Sequence, residues 1–426
     1  MRVLLFAYSA RAGRGSEPAL GWGWARHLAR AGHEITLLTH ARNEEDNRAW
    51  LDAHPQPNLT MTCVDSGRSG RALRAAVPAE RLARVIEYVA WRRAARREAL
   101  RLHGAAAFDV VHHVTYSSIV PGSPVCRLGP PFVLGPLGGG QRAPAGARPL
   151  FGRAWPLERL RSAAVAATGA GLNPLARASV RQASSVLATN DATLQIARRL
   201  GARRPELMAD TGLDPARVGT PRTGLRKERP LRVLWVGTLA PIKAPRLALA
   251  AVACARREID VELHVVGNGP QRQDLGTWAA ELGIDDSVRV HGSLPWSDVM
   301  DLYATCDVLL FTSVRDSLGS QLVEAAAAGL PIVAVDLHGA ASVLPSTASI
   351  KVPFGDVDST ATGLSRALLR LLTDETTYAR LSRGAIDFAR SQTWPERVRR
   401  IERIYEDVVG ATVADADTAS RTRVAG

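Results

Sequence analysis

Short apolar runs separated by helix-length segments set the narrowest bound on what this chain can fold into. RVLLFAYS and EITLLTH bracket one such segment, and FDVVHHVTY, PFVLGP and SSVLATN follow, each closed by turn residues. Strands that alternate with helices build a parallel sheet with helices on both faces. The stretch 209–230, ADTGLDPARVGTPRTGLRKERP, breaks the pattern with Gly, Pro, Thr and Arg, a linker composition. After it the alternation restarts with LRVLWVG, VELHVVG, SVRVHG, CDVLLFTS and PIVAVD. At 426 residues the chain exceeds one ordinary core. Two doubly wound α/β domains in tandem are therefore expected, over 1–210 and 231–395, joined by a linker at 211–230. Ligands of such sheets bind in the crevice at the strands' carboxyl ends. A helix over 396–410 and a tail over 411–426 without apolar periodicity complete the expectation.

Charge narrows the partners. Lys plus Arg total 54 against 41 Asp plus Glu, a net +13, and only Lys227, Lys243 and Lys351 are lysines. Such a chain keeps anionic company, whether nucleic acid, acidic lipid or a phosphorylated substrate. Nucleic acid is set aside because no aromatic RNA-binding signature, zinc spacing or helix-turn-helix pattern accompanies the cations. Cys63, Cys126, Cys254 and Cys306 are scattered, which suits reduced thiols in a cytoplasmic setting. MRVLLFAYSA opens a strand without a charged leader, and no run reaches the ~18–20 apolar residues that span a bilayer. RLARVIEYVAWRRAARREALRL, 81–102, places Leu82, Val85, Ile86 and Val89 on one helical face among seven arginines. It reads either as a core helix with a solvated basic face or as a helix lying peripherally on an anionic membrane.

Three constellations carry chemistry. In WVGTLAPIKAP a strand ends at Gly237, a loop carries Thr238 and Lys243, and a helix opens at Pro245. Free N–H groups at a helix start make an anion site, and a lysine beside them adds a point charge. VVGNGPQR places Gly267, Asn268 and Gly269 at a strand end, where bare backbone suits either a plain tight turn or the close approach of a nucleotide. SVRDSLGSQLVEAAAAGLPIVAVD, 313–336, sets Asp316 in a strand-end loop and Glu324 within an otherwise apolar helix. Carboxylates accept hydrogen bonds in pairs, and the vicinal hydroxyls of a ribose or hexose offer them in pairs.

The run RDSLGSQLVEAAAAGLPIVAVD resembles the Glu-x7-Glu motif of family 4 retaining glycosyltransferases, with Asp316 and Glu324 in the two acidic positions. VGTLAPIKAP resembles that family's phosphate loop, VVGNGP its Gly-rich turn, and SARAGRGSEPALGWGWARHLARAGHEITLLTH its first glycine loop and helix. VVHHVTYSS and FVLGPLGGGQRAP are similar to further family segments, and the likeness runs in order over most of 1–405. The resemblance implies a GT-B fold: two Rossmann-like domains facing a central cleft, with the C-terminal helix packing back on the N-domain. It implies a metal-independent enzyme that moves a sugar, with retention, from a UDP- or GDP-sugar to a saccharide or lipid-linked acceptor. No cofactor and no metal ligand are implied.

Carried over residue by residue, the resemblance puts Lys243 on the donor diphosphate, with Gly237, Thr238, Gly267, Asn268 and Gly269 around it. Glu324 would hold the ribose, and Asp316 with Ser317, Leu318 and Gly319 the donor sugar. His112 or His113 would contact the transferred sugar, although a histidine at a strand is more often structural. Gly13, Gly15, Glu17, Gly138 and Gly139 would line the acceptor side. Two departures stand out: Thr238 occupies the region where the family carries an arginine, leaving Arg246 as a substitute cation, and Asp316 is one methylene short of glutamate. Rival readings are a sugar-nucleotide epimerase or hydrolase, and a degenerate relative that binds without transfer. A dehydrogenase is disfavoured because AYSARAGRGSEPALGWG lacks G-x-G-x-x-G spacing and no acid ends EITLLTH. The DAD at 415–417 lies in the expected tail and is read as chance.

Overall fold

The computed structural model describes residues 1–67, 80–225 and 230–424, with 80–85 and 413–424 described as backbone only. Two parallel sheets organise the chain. The first has seven strands in the order β3-β2-β1-β4-β5-β6-β7 and the second six in the order β10-β9-β8-β11-β12-β13. The first comprises β1 (Arg2–Ala7), β2 (Glu34–His40), β3 (Leu59–Val64), β4 (Val110–Thr115), β5 (Phe132–Leu137), β6 (Ser185–Ala188) and β7 (Pro205–Leu207). The second comprises β8 (Leu231–Val236), β9 (Val261–Val266), β10 (Val288–Gly292), β11 (Val308–Phe311), β12 (Ile332–Val335) and β13 (Ser349–Val352). In each sheet the strand order reverses once, between β1 and β4 and between β8 and β11. Such a reversal opens a crevice at the strands' carboxyl ends.

Period-2 alternation explains why β1 is apolar throughout. Val3, Leu5 and Ala7 enter a core with the helix Glu17–Arg30 and the C-terminal helix, while Leu4, Phe6 and Tyr8 enter the opposite one. The helix Glu17–Arg30 ends where Gly32 adopts φ 92, the left-handed geometry that the sequence expects at its end.

Four crossings divide the chain into two compact units. One contains Met1–Gly140, Val165–Gly212 and the segment from Trp394 onward; the other contains Gln141–Ala164 and Leu213–Thr393. Residues 141–164, placed by sequence within the first domain, thus pack with the second. Ala147, Leu150 and Phe151 bury themselves in its core with Leu247 and Leu249. Residues 211–225 are also no free tether. Arg222 donates to the carbonyls of Ala328, Tyr303 and Cys306, and its own N–H to Ser382 Oγ at 2.7 Å. The final helix runs Trp394–Val424, well beyond the expected 396–410. Trp394, Val398, Ile401, Ile404, Tyr405 and Val408 lie in the first unit's core, so this helix does return to the N-terminal sheet. The DAD at 415–417 falls where only backbone is described.

Candidate functional site

In the second unit the strand reversal brings the two loops of interest together. The loop after β8 closes with a 3-10 turn, Pro241–Lys243, then Ala244 at φ 50, then the helix Pro245–Ala255. The loop after β11 leads through Gly319 into the helix Ser320–Ala327. Lys243 Nζ meets Asp316 Oδ2 in an ion pair whose side chains are only 14% and 19% exposed. Thr312 Oγ1 donates to the Lys243 carbonyl at 2.9 Å and so ties one loop to the other. The ammonium also lies 5.7 Å from the Phe311 ring centroid. Asp316 accepts from the Ser317 N–H at 2.9 Å and from Ser313 Oγ at 3.4 Å. A fixed cation and a fixed carboxylate thus share the mouth of the second sheet.

Glu324 sits one turn into the helix that follows. Tyr303, itself fully buried, donates its hydroxyl to Glu324 Oε2 at 3.0 Å. Burial pushes the Glu324 carboxyl above its usual range; the Tyr303 hydroxyl, Ser320 and the Arg217 charge pull the other way. Arg217 in turn stacks at 3.8 Å over the ring of Trp296, which is 46% exposed. The local sequence gives no sign of Tyr303 or Arg217, since the Tyr303 bond and the Arg217 charge reach Glu324 only through how the helix Trp296–Thr305 and the turn Pro215–Arg217 fold back.

Gln141 was equally invisible. Its Nε2 donates to Ser317 Oγ at 2.9 Å, and Arg161 donates to its carbonyl at 2.8 Å. Arg315, next to Asp316, pairs with Glu158 at 3.1 Å. The segment 141–164 therefore braces the 313–319 loop from within the second unit. Leu318 is buried beneath that loop, and a Cβ on Gly319 would meet the Phe311 ring at 2.7 Å.

The Gly267-Asn268-Gly269 turn packs closely on the Lys243 loop. A Cβ on Gly267 would lie 1.9 Å from the Gly237 carbonyl oxygen, and one on Gly269 2.5 Å from that of Leu239. Leu239 N–H donates to the Asn268 carbonyl at 3.0 Å, and the Asn268 side chain accepts from Gly269 N–H at 2.8 Å. These glycines let the turn lie against the Lys243 loop, backbone on backbone. Thr238 keeps its place in that loop. Arg246, the suggested substitute cation, stacks instead at 5.6 Å over Trp278 of the helix Asp274–Glu281.

The histidines are corrected outright. His112 and His113 are 0% and 1% exposed. His112 has the Gly135 carbonyl at 2.6 Å from Nε2 and the Tyr405 hydroxyl at 2.6 Å from Nδ1. A carbonyl can only accept, so Nε2 carries the proton and Nδ1 accepts from Tyr405. His113 is held likewise, Nε2 donating to the Tyr116 carbonyl at 3.3 Å and Nδ1 accepting from Ser123 at 2.7 Å. Burial lowers the two to about 4 and about 3. Both are neutral core residues on opposite faces of β4, and neither presents a nitrogen to a sugar.

On the first unit's side, Glu17 spans the β1/β4 reversal, accepting from Ser117 N–H at 2.7 Å and Ser117 Oγ at 2.8 Å. Gly138 pairs with this loop through Ser117 and Ile119, and a Cβ on Gly139 would meet Ser118 Oγ at 2.4 Å. Gly13, at φ 68, and Gly15 face open space. In the helix Glu80–Ala106 the buried face is Tyr88, Trp91, Ala95 and Ala99, while Val89 is 52% exposed. One face of this helix thus enters the core, though not at Val89 of the expected stripe, and the side chains of Leu82 and Val85 lie outside the described residues.

Residues 220–388 match the family described as Glycosyl transferases group 1. Over that stretch, which lies within the second unit, the chain is similar to the group 1 glycosyl transferases. It is 29% identical over 198 residues to the D-inositol 3-phosphate glycosyltransferase of Corynebacterium glutamicum, covering 44% of this chain and 46% of that protein. It is 36% identical over 149 residues to the 2-deoxystreptamine glucosyltransferase of Streptomyces kanamyceticus, covering 34% and 38%. The chain thus spans about half the length of the curated relatives it matches. Among solved structures, Anabaena HepE in complex with UDP and glucose aligns over 96% of this chain and 100% of its own, with TM-score 0.60 and 15% identity. The sucrose-phosphate synthase from Thermosynechococcus elongatus aligns over 96% and 99%, with TM-score 0.66 and 16% identity. The shared architecture is the GT-B fold.

Proposed function

We propose that this chain is a group 1 glycosyl transferase that moves a sugar, with retention, from a nucleotide diphosphate to an acceptor hydroxyl. The observation that carries this reading is the Lys243–Asp316 pair at the β8/β11 reversal, with Glu324 held close by through Tyr303. Lys243 and the opening turn of the helix Pro245–Ala255 take the diphosphate, whose charge grows as the anomeric C–O bond breaks. Glu324 accepts from the ribose hydroxyls with the oxygen that Tyr303 leaves available. Asp316 turns from Lys243 to the hydroxyls of the donor sugar, aided by Ser317. The acceptor oxygen forms its bond on the face the diphosphate leaves, and its proton passes to the departing phosphate oxygen. No carboxylate nucleophile and no metal enters this scheme.

UDP is the favoured donor carrier, because HepE of the same fold is described in complex with UDP and with UDP-glucose. The acceptor is a polyhydroxylated or saccharide hydroxyl, in keeping with relatives named for inositol phosphate and 2-deoxystreptamine. Glu17, Gly13 and Gly15 are its proposed neighbours. The test is a thermal-shift panel of UDP-, GDP-, ADP- and dTDP-sugars on wild type and Glu324→Ala. A ligand at 100 times its Kd should add ~2.7 kcal/mol of stability. A shift with one nucleotide class that is lost in the variant supports a donor site there. No shift with any donor removes the transfer reading in favour of a non-transferring relative.

A further inference from the structure

The helix Trp155–Gly169 turns an apolar strip to solvent. Leu157 is 71% exposed and Leu160 69%, with Ala163 and Ala164 exposed beyond them. The inner face of this helix is already committed. Glu158 and Val165 are buried, and Glu158 pairs with Arg161 and Arg315. Arg148 and Arg153 shortly precede this helix and Arg159 lies within it, all exposed. Glu158, which is buried, is the sole acid between 141 and 164, so the exposed side chains of this segment include cations and leucines but no carboxylate.

We propose that this face docks on an anionic lipid bilayer, Leu157 and Leu160 entering the headgroup–acyl boundary while Arg148, Arg153 and Arg159 engage lipid phosphates. Cations flanking an apolar helical strip are the signature of a segment lying in the membrane interface. A second copy of the chain fits poorly, because a two-fold interface sets a patch against itself and would bring the arginines together. A protein partner fits less well than lipid: protein hot spots favour Trp, Tyr and Arg in enclosed pockets, and two leucines about 70% exposed offer none. A bilayer needs no pocket and supplies the matching charge. The helix Glu80–Ala106 also exposes Arg93, Arg96 and Arg97, and so provides a control for charge alone. This inference goes beyond the transfer reading and does not depend on it.

The test is co-sedimentation of the full chain with phosphatidylcholine vesicles, with and without phosphatidylglycerol. The variants are L157S/L160S, R153Q/R159Q and R93Q/R96Q/R97Q, each checked for an unchanged thermal unfolding curve. Wild type should sediment only with the anionic vesicles. R153Q/R159Q should bind about 30-fold more weakly, taking each cation near the surface at roughly a factor of five. L157S/L160S should lose binding to a similar extent, and R93Q/R96Q/R97Q should lose less than either. The proposal is overturned by an absence of sedimentation, by L157S/L160S binding as well as wild type, or by R93Q/R96Q/R97Q alone abolishing it. A concentration-dependent dimer broken by the leucine substitutions would also overturn it, giving the face to a second copy.

Discussion

Asp316→Asn should tighten the binding of free UDP while weakening discrimination in favour of the UDP-sugar. The ion pair between Lys243 and Asp316 is what makes these effects diverge. With side chains only 14% and 19% exposed, the two charges sit in a medium far less screening than bulk water. Unit charges about 4 Å apart at an effective dielectric of ~20 attract by about 4 kcal/mol. Water at the remaining exposed surface and the cost of desolvation cut the net value to roughly 1 kcal/mol. A diphosphate arriving at Lys243 has to displace that carboxylate and then lies beside it. UDP carries no sugar that could reward Asp316 for moving, so it bears the whole cost. Removing the carboxylate charge should therefore lower the Kd for UDP by about 5- to 10-fold, the equivalent of ~1–1.4 kcal/mol. A UDP-sugar gives back a carboxylate–hydroxyl contact of ~1.5–3 kcal/mol in wild type and loses it in the variant. The ratio of UDP-sugar to UDP affinity should then fall by tenfold or more, as read by calorimetry on both ligands. UDP binding that is unchanged or weaker in Asp316→Asn would refute the competition between carboxylate and diphosphate.

Lys243→Ala should lower turnover by about 10²- to 10³-fold, the value of one charge-stabilising contact in a transition state. A near-normal kcat would end its assignment to the diphosphate. Glu324→Gln should abolish the donor-induced thermal shift and yet raise the melting temperature of the free protein at neutral pH. Burial holds the Glu324 carboxyl above the ordinary glutamate value of 4.5, so its contribution to stability is full below that value and is lost as pH rises through the raised one. The gain in Glu324→Gln should vanish on acidification; equal melting temperatures at all pH values would contradict this account. His112 has the opposite sign. Its value falls from 6.5 to about 4, so stability should drop as pH falls through that window, by on the order of 3 kcal/mol for this group. Urea midpoints that stay flat between neutrality and pH 4 would show that the imidazole is not held neutral in the fold.

What the sequence disclosed and what it hid divide along one physical line. Strand–helix alternation is a local pattern, so two parallel sheets could be read from apolar runs and their turn residues. Lys243 and Asp316 were legible because each ends a strand of the same sheet, and neighbouring strands deliver their loops to one place. His112 and His113 looked similar by that rule, yet their fate rested on partners that no local pattern reveals. Tyr405 reaches His112 across 293 residues of sequence, and Ser123 meets His113 only because the loop after β4 folds back. Gly267 and Gly269 show the same ambiguity from the backbone's side. A missing Cβ announces that something comes close, and only the fold reveals that it is the carbonyl of another loop. Gln141 carries the point furthest: it follows the strand-end glycines of the first sheet, yet it belongs to the second unit and spends its side chain on Ser317 at the mouth of the second sheet. Its place in the site follows from where the chain crosses between the units, so a residue of ordinary appearance in sequence becomes a brace for the loop that holds Asp316.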